Sequence, residues 1–358
     1  MSAPATLSER FALTNPEGFF LDDDPAALDE YLAQRGVLKR PSLFRKRPRV
    51  ESLSVPGEGN MNRVLRATLS DGATLIVKQS RPWVERYPQI DAPATRARAE
   101  ARYFELVGHV PALAQASPKL LHYDGGEQVL VLQDLGSASD LSSAYADPGI
   151  LAQSTLGHDS TVAALGAYLS KLHGHFRAYP PARPVANRAM RRLNHEHIFD
   201  IPFRENNAFV AEHLPEATGG TFASDIRTRA RALGETYLAN HATGTLLHGD
   251  FYPGSLLLSG SADGSASGKL YVIDPEFSFT GPAEFDFGVL AAHLHLAGAP
   301  ERVEDLRAAY DGPLDETLWR GFAGTEIIRR IVGVAQVPLA ETADRSALLR
   351  TGCELLGA

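Results

Sequence analysis

Cysteine is nearly absent from this chain. One residue, Cys353, stands among 358, which excludes a disulfide framework and any zinc or iron–sulfur centre built on cysteine. Positive charge is not in excess: 35 Lys and Arg against 43 Asp and Glu leave a net charge of −8. The dense basic surface that nucleic-acid backbones require is therefore missing. No apolar run approaches the ~20 residues that span a bilayer. The opening MSAPATLSERFALTNPEGFF lacks the charged stretch and apolar core of a secretory leader. No internal repeat appears. These absences point to a soluble, cytoplasmic globular protein without nucleic-acid or membrane partners. At ~150 residues per domain its length suits two domains.

What is present changes character along the chain. Asp24-Pro25 reads as an N-cap with proline at the first helical position, opening a helix to about Arg35 that Gly36 ends. From Val50 to Val77 the runs ESLSV, RVLRATL and TLIVK alternate around a Gly-rich turn and Ser70-Asp71-Gly72, a hairpin pattern. A helix is expected from about Thr95 to Val107. A second hairpin should fold around Gly125-Gly126, between KLLHYD and EQVLVLQ. After Asp134 the pattern turns helical, interrupted by the short strands SLLL and KLYVI with SGSADGSASG as a flexible hairpin loop between them. The expectation is an α+β chain: an antiparallel-sheet lobe over residues 1–134 and a larger, mostly helical lobe over 135–358.

Four local features fall in an informative order. Gly57-Glu58-Gly59-Asn60-Met61-Asn62-Arg63-Val64 fits G-x-G-x-x-G-x-V with Asn62 at the third glycine, a position suited to φ > 0. Such a loop lets backbone N–H groups approach phosphate oxygens, or simply turns a hairpin. Its place between two strands disfavours a dinucleotide site. Lys78 ends the next strand, where protein-kinase-like enzymes hold the α- and β-phosphates. Glu100 or Glu105, on the following helix, is its candidate partner. His248-Gly249-Asp250 through Ser255 matches H-x-D-x-x-x-x-N with Ser for Asn. This presents a carboxylate to an incoming hydroxyl and, five residues on, an oxygen to a metal ion. Asp274, at the end of KLYVI, would converge with Asp250 and Ser255 if the two strands pair, supplying the oxygen ligands that Mg²⁺ requires.

The remaining candidates read as scaffold. His195, His197, His293 and His295 have metal-like spacing only on a strand, and are taken as surface or core histidines. Asp286 reads as a brace for the Asp250 loop. Trp83, Trp319, Phe285 and Phe287 read as packing.

HGD-x-x-x-G-S, VIDPEF, FDFG, RRIVGVA and the loop GEGNMN resemble the 5-methylthioribose kinases, within the aminoglycoside/choline-kinase-like group, from about Asp24 to Gln336. The resemblance implies a bilobal protein-kinase-like fold, ATP and Mg²⁺ as cofactors, and a homodimer. It places adenine between the lobes near Gln133 and Leu135, and phosphates on Gly57, Gly59, Asn60, Asn62 and Lys78, with Glu100 beside the lysine. It gives Mg²⁺ to Asp274 and Glu276 with Ser255, proton abstraction to Asp250, and sugar hydroxyls to Arg329 and Arg330. Adjacent helical residues point ~100° apart, so the alternative is that one arginine serves only a carboxylate. Phe251-Tyr252-Pro253 replaces the family's Leu-His-Thr, and Thr280 and Gln336 stand where Tyr and His are common. The expected reaction is phosphorylation of a sugar hydroxyl, on 5-methylthioribose or a related 5-substituted ribose. The alternatives are an amino-alcohol or aminoglycoside kinase, or an inactive nucleotide-binding protein.

Overall fold

The structure is a computed structural model that describes residues 6–39, 46–57, 59, 61–239, 244–260 and 268–357. Asn60 of the glycine loop and residues 261–267 of the expected hairpin loop lie outside the described residues. The chain divides into two compact units. The first holds Met1–Glu105 and Pro118–Leu135, the second Leu106–Ser117 and Gly136–Ala358. The segment 106–117 joins the second unit because the backbone N–H of Val272 donates to Ala116 O at 2.7 Å.

The first unit is built on an antiparallel sheet of β1 (Val50–Ser54), β2 (Arg63–Leu69), β3 (Thr74–Gln79), β6 (Leu120–Asp124) and β7 (Val129–Gln133), in the order β1-β2-β3-β7-β6. Both expected hairpins are present, β2–β3 and β6–β7. A short hairpin of β4 (Trp83–Val84) and β5 (Tyr87–Asp91), and helix α1 (Leu7–Thr14), were not signalled by the pattern. Helix α2 (Pro25–Gln34) starts as expected, with Asp24 accepting from the Ala26 N–H. Leu28, Tyr31 and Leu32 of α2 pack on Leu65, Ala67, Val77, Val129 and Val131. Because side chains alternate across a strand, Val77 faces this cluster and Lys78 faces the other way. Helix α3 (Arg96–Gly108) follows the hairpin.

The second unit is mostly helical: α4 (Pro111–Gln115), α5 (Thr161–Ala178), α6 (Arg188–His195), α7 (Ala208–His213), α8 (Ser224–Leu238), α9 (Glu284–Leu296), α10 (Arg302–Ala309), α11 (Glu316–Val332) and α12 (Arg345–Gly357). Its small sheets pair β10 (Leu256–Ser259) with β11 (Leu270–Val272) and with β8 (Ala138–Asp140), and β12 (Phe279–Gly281) with β9 (Thr245–Leu247). Phe285 and Phe322 join Phe199, Tyr237, Leu247 and Phe279 in the core. Helices α9 and α11 touch closely: a Cβ on Gly288 would lie 2.6 Å from Trp319 O. No helix among the described residues is long and apolar enough to cross a membrane.

Candidate active site

Lys78 is not the solvated lysine that a strand end usually offers. It is buried, and its ammonium lies 2.8 Å from Glu100 Oε2 on α3. Glu105, the other candidate, is half-exposed and pairs with Arg102 at 3.1 Å. The difference is helical phase: Glu100 points at the sheet and Glu105, five residues on, points away. The expected left-handed backbone at Asn62 is not found, and Gly57 and Gly59 do not adopt positive φ either. Asn62 is instead buried. Its side-chain oxygen accepts from Ser80 Oγ at 2.7 Å and Arg96 Nε at 3.0 Å. Arg96, fully buried, also donates to the carbonyls of Met61 and Arg81, so it ties the end of the glycine loop to the sheet. Gly57 and Gly59 are exposed. Gln133, also exposed, accepts the Lys119 N–H through its side chain at the open end of the β6–β7 hairpin, and Leu135 is half-buried.

In the second unit the His248-Gly249-Asp250 loop is held from beneath. Asp286, wholly buried on α9, accepts from the backbone N–H groups of His248 at 2.7 Å and Gly249 at 2.9 Å. His173 lies 3.3 Å from the same carboxylate and is held in turn by Tyr310. His248 lies 2.8 Å from Ile273 O through Nε2 and accepts the Asp250 N–H at Nδ1. That pattern requires the Nε2–H tautomer. It also fastens the loop to the end of β11.

Strand pairing brings two of the candidate residues to one hairpin end. Leu256 pairs with Val272, and the Ile273 N–H donates to Ser255 O at 3.0 Å. Ser255 and Asp274 thus sit at the same end of the β10–β11 hairpin. Asp274 turns the chain in the left-handed region (φ 59°), which Asp tolerates better than most residues. Asn187 secures the turn that follows, donating to Glu276 O and Ser278 O. Tyr252 senses both carboxylates: burial raises its phenol pKa, and the charges of Asp250 and Asp274 add to the rise.

Arg329 and Arg330 both reach Asp250. Their Nη2 atoms lie 3.1 and 3.3 Å from the same oxygen, Oδ1. Glu326, one turn back on α11, takes the other edge of each guanidinium, at 2.5 Å from Arg329 Nε and 2.7 Å from Arg330 Nε. The i, i+3 and i, i+4 spacings put both arginines over one carboxylate, which overcomes the divergence of adjacent helical positions. Burial would raise the Glu326 pKa, but the two guanidinium charges hold it well below the usual range. Arg330 also covers the Tyr252 ring at 4.8 Å. The sequence did not single out Glu326, Arg96 or Asn194, the last with its side-chain oxygen 3.5 Å from Arg329 Nη1, and marked Tyr252 only as a departure from the family pattern. The E-x-x-R-R spacing on a helix was the one available signal. His195 and His197 fall at the end of α6 and in the turn after it.

The oxygens of Asp274, Glu276 and Ser255 are hard donors that fit Mg²⁺. Among the described residues no group of three His, Cys, Asp or Glu side chains forms a cage.

A family model described as the phosphotransferase enzyme family matches residues 52–324. A methylthioribose kinase of Erwinia tasmaniensis is 29% identical over 364 aligned positions, covering 86% of this chain and 85% of that protein. Another, from Pectobacterium carotovorum subsp. carotovorum, is 26% identical over 388 positions, covering 91% and 90%. The solved structure of LicA in complex with AMP matches with a TM-score of 0.50 at 14% identity, over 92% of this chain and 96% of that one. That last likeness is one of fold.

Proposed function

The chain belongs to the phosphotransferase enzyme family, and from that premise we propose that it transfers the γ-phosphoryl group of ATP to a hydroxyl of methylthioribose or a related 5-substituted ribose. One observation carries the choice of acceptor: two adjacent arginines meet one oxygen of Asp250. A cationic amino-alcohol or aminoglycoside would face two guanidinium groups there, whereas sugar hydroxyls find fixed donors. The near end-to-end similarity to proteins named methylthioribose kinase supports the same reading.

Under this reading Lys78, oriented by Glu100, neutralises the α- and β-phosphates, and backbone N–H groups at Gly57, Gly59 and Asn62 approach them. Asp250 orients the acceptor hydroxyl and takes its proton as the oxygen attacks. Arg329 and Arg330 hold neighbouring sugar hydroxyls. Mg²⁺, when bound, offsets charge on the transferring phosphoryl group, and Asp274, Glu276 and Ser255 are the residues that would hold it. Positioning and charge stabilisation supply most of the acceleration in such chemistry. The family resemblance extends the reading to a cytoplasmic homodimer, which sedimentation of the purified protein checks.

The test is ADP release from Mg-ATP across 5-substituted riboses, choline-like amino-alcohols and aminoglycosides. Turnover with methylthioribose is expected. Turnover confined to the cationic acceptors would overturn the sugar assignment, and ATP binding without turnover on any acceptor would overturn the enzyme itself.

A further inference from the structure

A second, wholly buried polar chain stands behind Asp250, and its members are not needed to touch substrate. The Tyr145 hydroxyl lies 2.7 Å from His293 Nδ1, and His293 Nε2 lies 3.1 Å from Glu326 Oε1. Glu326, ionised beneath two guanidinium charges, can only accept, so His293 Nε2 carries the proton and Nδ1 accepts from Tyr145. Glu326 Oε1 then receives three donors: His293, Arg329 Nη2 at 3.0 Å and Arg330 Nε at 2.7 Å. Its other oxygen receives Arg329 Nε at 2.5 Å. Tyr145, His293 and Glu326 are each at most 2% exposed.

This order has a consequence at the far end. With both Nε atoms engaged by Glu326, each guanidinium turns an Nη2 toward Asp250 (that of Arg329 also serving Glu326), and both donate to Oδ1. Among the described residues Oδ2 accepts no hydrogen bond. A carboxylate held on one oxygen by two fixed donors has one rotamer and presents the other oxygen to an incoming hydroxyl.

We propose that Glu326, locked by His293 and Tyr145, is a positioning residue for phosphoryl transfer: it sets Arg329 and Arg330 so that Asp250 is pinned through Oδ1 and meets the acceptor hydroxyl with Oδ2. This rests on the proposed kinase reading. The role is distinct from fold support, because it predicts loss in kcat while nucleotide binding is untouched.

The experiment compares wild type with Glu326→Gln and Tyr145→Phe in the sugar-dependent ADP-release assay, with ATP affinity by calorimetry and Tm recorded alongside. Glu326→Gln keeps the shape but loses the charge that divides the arginines. Its kcat should fall about 100-fold, the scale on which misplacing a reacting group acts, with ATP affinity within about twofold of wild type. Tyr145→Phe removes only the outermost hydroxyl, and should lower kcat about threefold to tenfold at unchanged ATP affinity. A folded Glu326→Gln with wild-type kcat overturns the inference. If that variant does not fold, wild-type kcat in Tyr145→Phe overturns it and a selective kcat loss supports it. Wild-type protein without sugar-dependent turnover would overturn the kinase reading instead, and this inference with it.

Discussion

The backbone at Gly249 passes so close to Phe277 that a Cβ there would lie 2.2 Å from the Phe277 carbonyl oxygen. The residue also sits at φ +87°, where L side chains are strained. Gly249→Ala therefore meets two penalties, about 1–3 kcal/mol for the backbone and a clash that only movement of the 248–250 loop relieves. Urea unfolding should show the loss of stability, and turnover should fall further than stability does because Asp250 moves with the loop. Wild-type kcat in Gly249→Ala would contradict this.

Lys78 and Glu100 form a buried ion pair, 2.8 Å apart. Glu100→Gln removes the carboxylate from a buried ammonium, a change that costs about 3–5 kcal/mol in comparable buried pairs. Glu105→Gln touches an exposed pair and should stay within about 0.5 kcal/mol of wild type. Chemical denaturation of the two variants side by side separates them, and equal midpoints would refute the pairing.

Asp250→Asn keeps the side chain's size but removes its basicity. Sugar-dependent turnover should drop about 10²–10⁴-fold, the range a general base contributes, while calorimetry still registers ATP. Undiminished turnover would eliminate Asp250 as the base.

Acid should destabilise the protein through His293. Burial lowers its pKa from 6.5 to about 4, although Glu326 beside it favours the charged form. Between those values the unfolded chain binds a proton that the native protein refuses, so stability rises with pH across the window and is lost on acidification. The contribution is on the order of 3 kcal/mol. Glu326, held well below its ordinary 4.5, stays ionised through this interval. Tm measured at about pH 7 and about pH 5 should fall less in His293→Gln than in wild type; parallel falls would assign the acid sensitivity elsewhere.

Much of the fold was legible because its signals are short-range. Asp24-Pro25 opens α2, Ser70-Asp71-Gly72 turns β2 into β3, and Gly125-Gly126 turns β6 into β7, each through backbone preferences of a few neighbouring residues. The β4–β5 hairpin is not legible in the sequence because a two-residue strand carries no periodicity. Asn62 was read for its tolerance of positive φ, but the structure uses its side-chain oxygen to hold Arg96, a contact across 34 residues of sequence.

The sequence by itself determined the chemical inventory and its order: a glycine loop, a strand lysine, a histidine–glycine–aspartate loop and a strand-end aspartate, each readable from local spacing. Tertiary structure alone decided the pairings. Glu100 rather than Glu105 faces Lys78, Glu326 gathers both arginines, and Arg329 and Arg330 share one oxygen of Asp250 about eighty positions away in sequence. Spacing dictates which way a side chain leaves its own helix or strand. Which group it meets depends on how separate elements pack, and in the buried Glu326 cluster that packing must satisfy every charge at once.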